Sequence, residues 1–310
     1  MDINAKIYVA GHQGMVGSGI VRCLSKEGYN NIVTRTFSEL NLCVQENVAS
    51  FFKIEKPDYV FLAAAKVGGI NANSKYPAEF LYENLMIQNN VIHQAYLSGV
   101  KKLCFLGSSC IYPRECPQPM KEKYFFTGPF ESTNEGYAIA KSAGYKLCSY
   151  YTKQYGFKTI SLMPCNLYGT NDNFNLVTSH VLSALVKRFS DAVNAEKNTV
   201  TLWGTGVALR EFLHVDDLTK ICVYLMNNYD DSEFINVGSG KEICIKDLAY
   251  KIAGFAGFKG KINWDSSKPD GMPRKLMDIS KLNKVGIEPE ISLDEGIKIM
   301  IQEYIEKYLI

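Results

Sequence analysis

The chain has 310 residues, of which 46% are hydrophobic and 21% are charged, so it can bury one large core or a core with a smaller lobe. This composition excludes disordered, collagen-like and disulfide-scaffold proteins. The 34 Lys and Arg residues and 32 Asp and Glu residues give a net charge of +2, which provides no strong attraction toward nucleic acid. We therefore expect a globular protein without a nucleic-acid partner.

The spacing of the cysteines and the length of the apolar segments indicate the cellular compartment of the protein. The chain has nine cysteines and no Cys-x-x-Cys spacing, which favours a reduced, cytoplasmic protein without a metal site. No apolar run approaches the roughly 18 residues that a membrane span needs. The N-terminal residues lead directly into a strand pattern, so we expect neither a signal peptide nor a membrane partner.

Strand and helix patterns alternate through the first half of the chain. Such repeated strand–helix–strand units predict an α/β fold with a doubly wound parallel sheet. Thr133 is the expected N-cap of the fourth helix. The predicted strands cover residues 6–10, 31–34, 59–65, 103–107 and 159–163. The predicted helices cover residues 15–26, 44–55, 78–98 and 133–155.

The alternation weakens after about residue 170. No Pro/Ser-rich linker separates the two halves, so they are expected to share an interface. We predict a domain over 1–170 and a smaller lobe over 171–310, from which some segments return to the first domain. The predicted helices of the second half cover 176–190, 216–228, 245–256 and 292–309, and its strands include 199–203 and 234–237.

A glycine-rich segment, GHQGMVG, follows the first predicted strand and opens the first predicted helix. Glycines permit a tight turn and a close approach of the backbone to a pyrophosphate at a helix N-terminus. In this position the spacing predicts a dinucleotide site, the alternative being glycines that serve the turn alone. The assigned cofactor-binding residues of this segment are Gly11, Gly14, Met15, Val16 and Gly17.

The residues at the end of the second predicted strand indicate which dinucleotide the protein binds. A cofactor with a free ribose 2′-hydroxyl is normally held by an acid about 20 residues after the glycines. No acid occurs here before Glu39, and Arg35 stands in its place. Because a guanidinium suits a 2′-phosphate, Arg35 favours NADPH over NADH. The alternative is a solvated surface arginine.

A serine, a tyrosine and a lysine form a candidate catalytic set. Tyr137 and Lys141 are four residues apart and share one helix face, while Ser108 follows a strand at the carboxyl edge of the sheet. A carbonyl oxygen that gains negative charge during reduction needs a proton and a hydrogen-bond donor. We expect Lys141 to lower the pKa of Tyr137 and Ser108 to hold the oxygen.

Several further sequence segments match a known protein family. Together with the glycine segment they resemble the GDP-L-fucose synthase family of the extended short-chain dehydrogenase/reductase superfamily, nearly from end to end. The strings are AAAKVGGI at 63–70, GSSCIYP at 107–113, TNE at 133–135, YAIAK at 137–141, NLYG at 166–169, REFLHVDD at 210–217 and KPDG at 268–271.

The resemblance implies roles for individual residues. Tyr137 corresponds to the proton donor of a 4-keto reduction, with Lys141 and Ser108 assisting it. Cys110 and His180 correspond to the base and the acid of an epimerisation. Cofactor-binding positions implied in addition to the glycine segment are Arg35, Ala64, Lys141, Pro164, Asn166, Leu167 and His180. Implied substrate-binding positions are Asn166, Arg188, Trp203, Arg210 and Asp270.

Some positions depart from the family pattern. Gln13 and Phe37 stand where the family usually has arginines that reach a 2′-phosphate, which leaves Arg35 nearby. The segment 171–179 before His180 also differs, and it is expected to lie near the sugar. These departures concern cofactor preference and the identity of the sugar.

The resemblance implies NADPH-dependent reduction of the C4 ketone of a GDP-4-keto-6-deoxy sugar, with 3,5-epimerisation beforehand, in the synthesis of surface-glycan precursors. The close alternative is a GDP-4-keto-6-deoxy-heptose 4-reductase with little or no epimerase activity. A remote alternative is a non-catalytic NADP-binding regulator, which the presence of Ser108, Tyr137 and Lys141 disfavours. A homodimer built on the helices at 78–98 and 133–155 is also implied.

Overall fold

The computed structural model describes residues 1–176, 178–268 and 270–310. Val177 and Pro269, which fall in the segment 171–179 and in the KPDG string, lie outside the described residues. Among the described residues, no helix is long and apolar enough to cross a membrane.

A six-stranded parallel sheet forms the centre of the molecule, which confirms the predicted α/β class. Its inner strands are apolar on both faces because helices cover both sides, and β1 and β4 have every residue buried. The strands lie in the order β2 (Ile32–Val33), β1 (Ile7–Ala10), β3 (Tyr59–Leu62), β4 (Lys102–Leu106), β5 (Thr159–Pro164) and β9 (Ile235–Val237).

Smaller sheets are formed by strands that come after β5 in the chain. In one of them, β6 (Asn166–Tyr168) and β12 (Arg274–Lys275) both pair in parallel with β8 (Leu209–His214). β10 (Glu242–Cys244) pairs with β8 in the antiparallel direction. The other sheet consists of β7 (Thr199–Trp203) and β11 (Lys261–Asp265).

The helices are amphipathic and surround these sheets. Helices α4 and α5 are the longest and pack side by side. The helices are α1 (Met15–Lys26), α2 (Gln45–Glu55), α3 (Ile70–Lys75), α4 (Pro77–Leu97), α5 (Glu135–Tyr155), α6 (Val181–Asn194), α7 (Val215–Asn228), α8 (Ile245–Ala256), α9 (Ser280–Val285) and α10 (Leu293–Tyr308).

Two hydrophobic clusters hold the chain together. The larger surrounds the central sheet and also takes in Leu213, Cys222 and Val237 from the second half of the chain. The smaller lies among α6, α8 and α10 and includes Phe189 and Met300. Segments that follow residue 170 therefore contribute to both clusters.

Two predicted helix starts are wrong, because the first residues of each prediction make other hydrogen bonds. The helix predicted from residue 176 begins at Val181, because the carbonyl oxygen of Thr178 accepts a 3.1 Å hydrogen bond from the N–H of Gly69 rather than from a helical turn. Thr133 lies within a 3₁₀ turn that is capped by Glu131, so it is not the N-cap of α5.

Candidate active site

One cleft of about 950 Å³ contains the residues that the sequence singled out. It runs from the loop between β1 and α1, past the carboxyl ends of β4 and β5, to the first turn of α6 and to β12. The lining includes Gly11, Gly14, Met15, Val16, Gly17, Arg35, Ala64, Ser108, Cys110, Tyr137, Lys141, Pro164, Asn166, Leu167, His180, Arg188, Trp203, Arg210 and Asp270.

The glycine loop at one end of the cleft has room for a pyrophosphate but not for side chains. Gly11 has a φ of +84°, and a Cβ there would lie 2.7 Å from the Cα of Ala64. A Cβ on Gly17 would lie 2.1 Å from the carbonyl oxygen of Gly11. Gly14 caps α1 without a side chain, which leaves the first N–H groups of the helix free for an anion. These residues fit the diphosphate of a dinucleotide.

The adenosine-side wall of this loop is poor in available positive charge. Arg35 forms an ion pair with Glu55, and its guanidinium also donates to the carbonyl oxygen of Thr34 over 2.7 Å. Phe37 is 74% exposed and lines the cleft together with Gln13. Arg35 is thus present at the predicted place, but its charge is shared with Glu55.

Ser108, Tyr137 and Lys141 all line the cleft near the carboxyl end of β4. Ser108 lies two residues after β4 and caps a short 3₁₀ turn at Ser109–Ile111 by accepting a hydrogen bond from the N–H of Cys110. Tyr137 and Lys141 lie one turn apart on α5, and the Nζ of Lys141 is 5.7 Å from the centre of the Tyr137 ring. Lys141 is only 4% exposed and donates a 2.8 Å hydrogen bond to the carbonyl oxygen of Leu106.

The expectation that Lys141 lowers the pKa of Tyr137 is wrong for this structure. Burial raises the pKa of Tyr137, because a phenolate is poorly solvated there, and the nearby Cys110 adds to the increase. Burial also lowers the pKa of Lys141 to about 8. Tyr137 therefore keeps its proton at neutral pH, as a proton donor requires.

Cys110 and His180 both line the cleft, with different surroundings. Cys110 is buried, and this burial raises the pKa of its thiol, while the positive charges of Lys275 and Lys141 oppose the increase. His180 is the N-cap residue of α6, and its ring is accessible from the cleft. The surrounding walls desolvate the ring and lower the pKa of His180, while Asp172 opposes this.

Arginine, tryptophan and aspartate side chains form the other end of the cleft. Trp203 is 64% exposed on the cleft wall, so it is not a core residue. Asp270 accepts two 2.7 Å hydrogen bonds from Thr205, and these lower the pKa of its carboxyl group. The guanidinium of Arg210 on β8 interacts electrostatically with the carboxylate of Asp270. Arg188 on α6 also lines the cleft.

Sequence reasoning missed two charged residues behind the catalytic set. Lys275 on β12 lines the cleft, and burial lowers the pKa of its ammonium. Glu211 on β8 is fully buried, and burial raises its pKa to about 7. Its carboxyl oxygens accept hydrogen bonds from the N–H groups of Gly240 and Met277. The REFLHVDD string contains Glu211, but only the fold brings Lys275 beside Cys110.

The described residues offer no group of three or more His, Cys, Asp and Glu side chains that could hold a metal ion.

Comparison with known proteins places the chain in a family. The NAD dependent epimerase/dehydratase family matches residues 7–238. GDP-L-fucose synthase 1 of Arabidopsis thaliana is 56% identical over 96% of this chain and 92% of its own length. GDP-L-fucose synthase of Escherichia coli (strain K12) is 48% identical over 97% of each chain.

The fold has solved counterparts as well. A GDP-mannoheptose C4 reductase from Campylobacter jejuni with NADP bound superposes with a TM-score of 0.90 at 42% identity, covering 98% of this chain and 99% of that one. The chain thus belongs to the NAD dependent epimerase/dehydratase family and, within it, to the GDP-L-fucose synthase family.

Proposed function

We propose that the protein reduces the C4 ketone of a GDP-4-keto-6-deoxy sugar with NADPH, after epimerisation at C3 and C5. The observation that supports this most strongly is the presence of Ser108, Cys110, Tyr137, Lys141 and His180 in one cleft that begins at a pyrophosphate-compatible glycine loop. The similarity of the chain to GDP-L-fucose synthases supports the same reaction.

The cofactor end of the cleft accommodates a dinucleotide. NADPH, when bound, supplies the hydride. The N-terminus of α1 and the glycines would hold the diphosphate of the cofactor, and Pro164, Asn166 and Leu167, which line the cleft, would contact its nicotinamide side. Residues 1–170 are proposed to form most of this cofactor domain, and residues 171–310 most of the substrate lobe. NADP in a solved relative supports the choice of cofactor.

Reduction at C4 requires groups that stabilise the carbonyl oxygen and protonate it. The hydroxyl groups of Ser108 and Tyr137 line the cleft where that oxygen must lie, and Tyr137 gives it a proton. The buried ammonium of Lys141 supplies positive charge one helical turn away. The charge that develops on oxygen is thereby neutralised as the C–H bond forms at C4.

Epimerisation precedes reduction because only the ketone acidifies its neighbouring carbons. Cys110, as thiolate, removes a proton from C3 or C5, and the electrons of the broken C–H bond pass into an enolate. His180, as imidazolium, returns a proton to the opposite face and restores the ketone. Lys275 and Lys141 favour the thiolate form of Cys110 against the effect of burial.

The substrate end is cationic where a GDP diphosphate is expected. Arg188 and Arg210 supply guanidinium groups, which match phosphate geometry. Trp203 presents an exposed indole, and Asp270 is held by Thr205 beside it. These features support a nucleotide diphosphate sugar as substrate, with Asn166 on the side of the reacting ring.

A heptose substrate is the second candidate. It is favoured by the similarity to a GDP-mannoheptose C4 reductase and by the departure of segment 171–179 from the family pattern. Leu176 and Ser179 from this segment line the cleft, where they can contact the sugar.

We further propose a homodimer in a reducing, cytoplasmic compartment. Helices α4 and α5 carry exposed apolar side chains, including Tyr82, Leu97, Ile139 and Tyr150, which a second copy could cover. All nine cysteines are free thiols, as expected in a reducing compartment. Size-exclusion chromatography with light scattering at micromolar concentration tests the dimer, and a monomer there would contradict it.

The test of function is a panel of GDP-4-keto-6-deoxy hexoses and heptoses, each assayed with NADPH and with NADH. The main proposal expects the hexose with NADPH to have the highest kcat/KM. A higher kcat/KM for the heptose would favour the second candidate, and turnover of neither would overturn both.

A further inference from the structure

Residues 67–70, which lead from β3 into α3, form a strap along the cleft. One end of this strap lies beside the proposed proton donor. A Cβ on Gly68 would lie 3.1 Å from the Cζ of Phe80. The ring of Phe80 in turn packs edge to face against that of Tyr137, with 6.4 Å between the ring centres. A single side chain therefore separates the strap from the group that is proposed to protonate the C4 oxygen.

The other end of the strap is joined to the substrate end of the cleft. The N–H of Gly69 donates a 3.1 Å hydrogen bond to the carbonyl oxygen of Thr178, which precedes the proposed epimerisation acid by two residues. A Cβ on Gly271 would lie 3.6 Å from the Cδ1 of Ile70 and 3.5 Å from the Nη2 of Arg210. The strap thus extends from the proposed proton donor to an arginine proposed to bind the diphosphate, which is the stretch that the sugar ring would occupy.

The strap presents aliphatic side chains to this stretch. Val67 is 60% exposed and Ile70 is 54% exposed, and both line the cleft. Leu176 and Val181, which flank the segment bonded to the strap, are also exposed and line the cleft. The ammonium of Lys66, next to the strap, forms ion pairs with two glutamates of α4. An exposed aliphatic wall in a cleft for a polar ligand indicates that the ligand carries an apolar group at this place.

One substituent of a 6-deoxy sugar suits such a wall. The ring hydroxyl groups would lose their hydrogen bonds to water against aliphatic side chains, whereas the C6 methyl group is stabilised by leaving water. This methyl is bonded to C5, which flanks the C4 ketone, so it must lie close to the groups that act on both carbons. We infer that Val67 and Ile70 are specificity-determining residues that contact the C6 methyl and disfavour a sugar with a hydroxyl at C6. The inference rests on the proposed function and specifies which part of the sugar these residues recognise.

Two GDP sugars that differ only at C6 measure this preference without turnover. One is a GDP-6-deoxyhexose, and the other is the GDP-hexose of the same configuration with a hydroxyl at C6. Isothermal titration of the full-length protein, with no cofactor added, should give a Kd roughly tenfold lower for the 6-deoxy sugar. Val67→Thr keeps the shape of the side chain and adds a hydroxyl, and Ile70→Thr adds one on the other side of the strap. In both variants the ratio of the two Kd values should fall toward one.

A matched control and two distinct failures complete the test. Val193→Thr introduces the same hydroxyl at an exposed position of α6 outside the cleft and should leave the ratio of Kd values unchanged. Equal Kd values in the wild type, or an unchanged ratio in both strap variants, would overturn the inference and leave the proposed reduction standing. Binding of neither sugar would overturn the inference together with the GDP-sugar substrate on which it rests.

Discussion

The Nζ of Lys141 lies 5.7 Å from the centre of the Tyr137 ring, one helical turn away on the same face of α5. The lysine is buried and bonded to the carbonyl oxygen of Leu106, so it has a fixed position. Burial raises the pKa of Tyr137, so its phenol stays protonated. Burial also lowers the pKa of Lys141, so its ammonium is more acidic than usual. At neutral pH both groups therefore carry their protons, and the ammonium of Lys141 is the more acidic of the two.

Replacing Tyr137 with Phe tests the assigned proton donor. Tyr137→Phe removes the hydroxyl and keeps the ring, so the rate of ketone reduction should fall roughly 10²–10⁴-fold. The affinity for NADPH, measured by fluorescence titration, should stay within about twofold of the wild type because the glycine loop is untouched. A reduction rate equal to the wild-type rate would contradict the assignment. Tyr250→Phe, a hydroxyl deletion at an exposed position of α8 outside the cleft, is the matched control.

The pH dependence of reduction should reflect Lys141. Its pKa is lowered to about 8, so the ammonium is present below that pH and is lost as the pH rises through it. Since kcat/KM reports groups of the free enzyme, kcat/KM for the ketosugar should fall above about pH 8. In Lys141→Met the alkaline decline should disappear together with most of the rate. An unchanged midpoint in Lys141→Met would assign the decline to another group.

Cofactor preference should respond to added charge at the adenosine end of the cleft. Gln13→Arg and Phe37→Arg place guanidinium groups at exposed positions, where Arg35 is already paired with Glu55. Each should raise the affinity for NADPH by about tenfold and leave the affinity for NADH nearly unchanged. Ile310→Arg adds the same charge at an exposed position away from the cleft and serves as control. Equal gains for both cofactors would show that the added charge does not reach the 2′-phosphate.

Lys275 should matter more for epimerisation than for reduction. Lys275→Met removes the positive charge that acts on Cys110 and preserves most of the side-chain volume. The pKa of the thiol should then rise, so deuterium incorporation at C3 and C5 should slow by about tenfold or more at neutral pH. Reduction of a substrate that is already epimerised should change much less. Equal losses in the two assays would point to a role in substrate binding instead.

Much of the fold and the site followed from sequence patterns, and the failures have physical causes. The continuous apolar strands and the glycine segment identified the parallel sheet, and the spacing of Tyr137 and Lys141 identified one helix face. Lys275 could not be found in this way because it lies on a two-residue strand, β12, without any periodicity. The later start of α6 depends on a contact that is distant in sequence, because the carbonyl oxygen of Thr178 accepts a hydrogen bond from the N–H of Gly69.

The most direct test of the central claim is to convert a GDP-4-keto-6-deoxy hexose with NADPH in deuterated water and to analyse the product by mass spectrometry and NMR. We expect a reduced GDP-deoxysugar with deuterium at both C3 and C5, and loss of deuterium from both positions in Cys110→Ser. A reduced product without deuterium at C3 and C5 would contradict the claim that this cleft epimerises its substrate before reducing it.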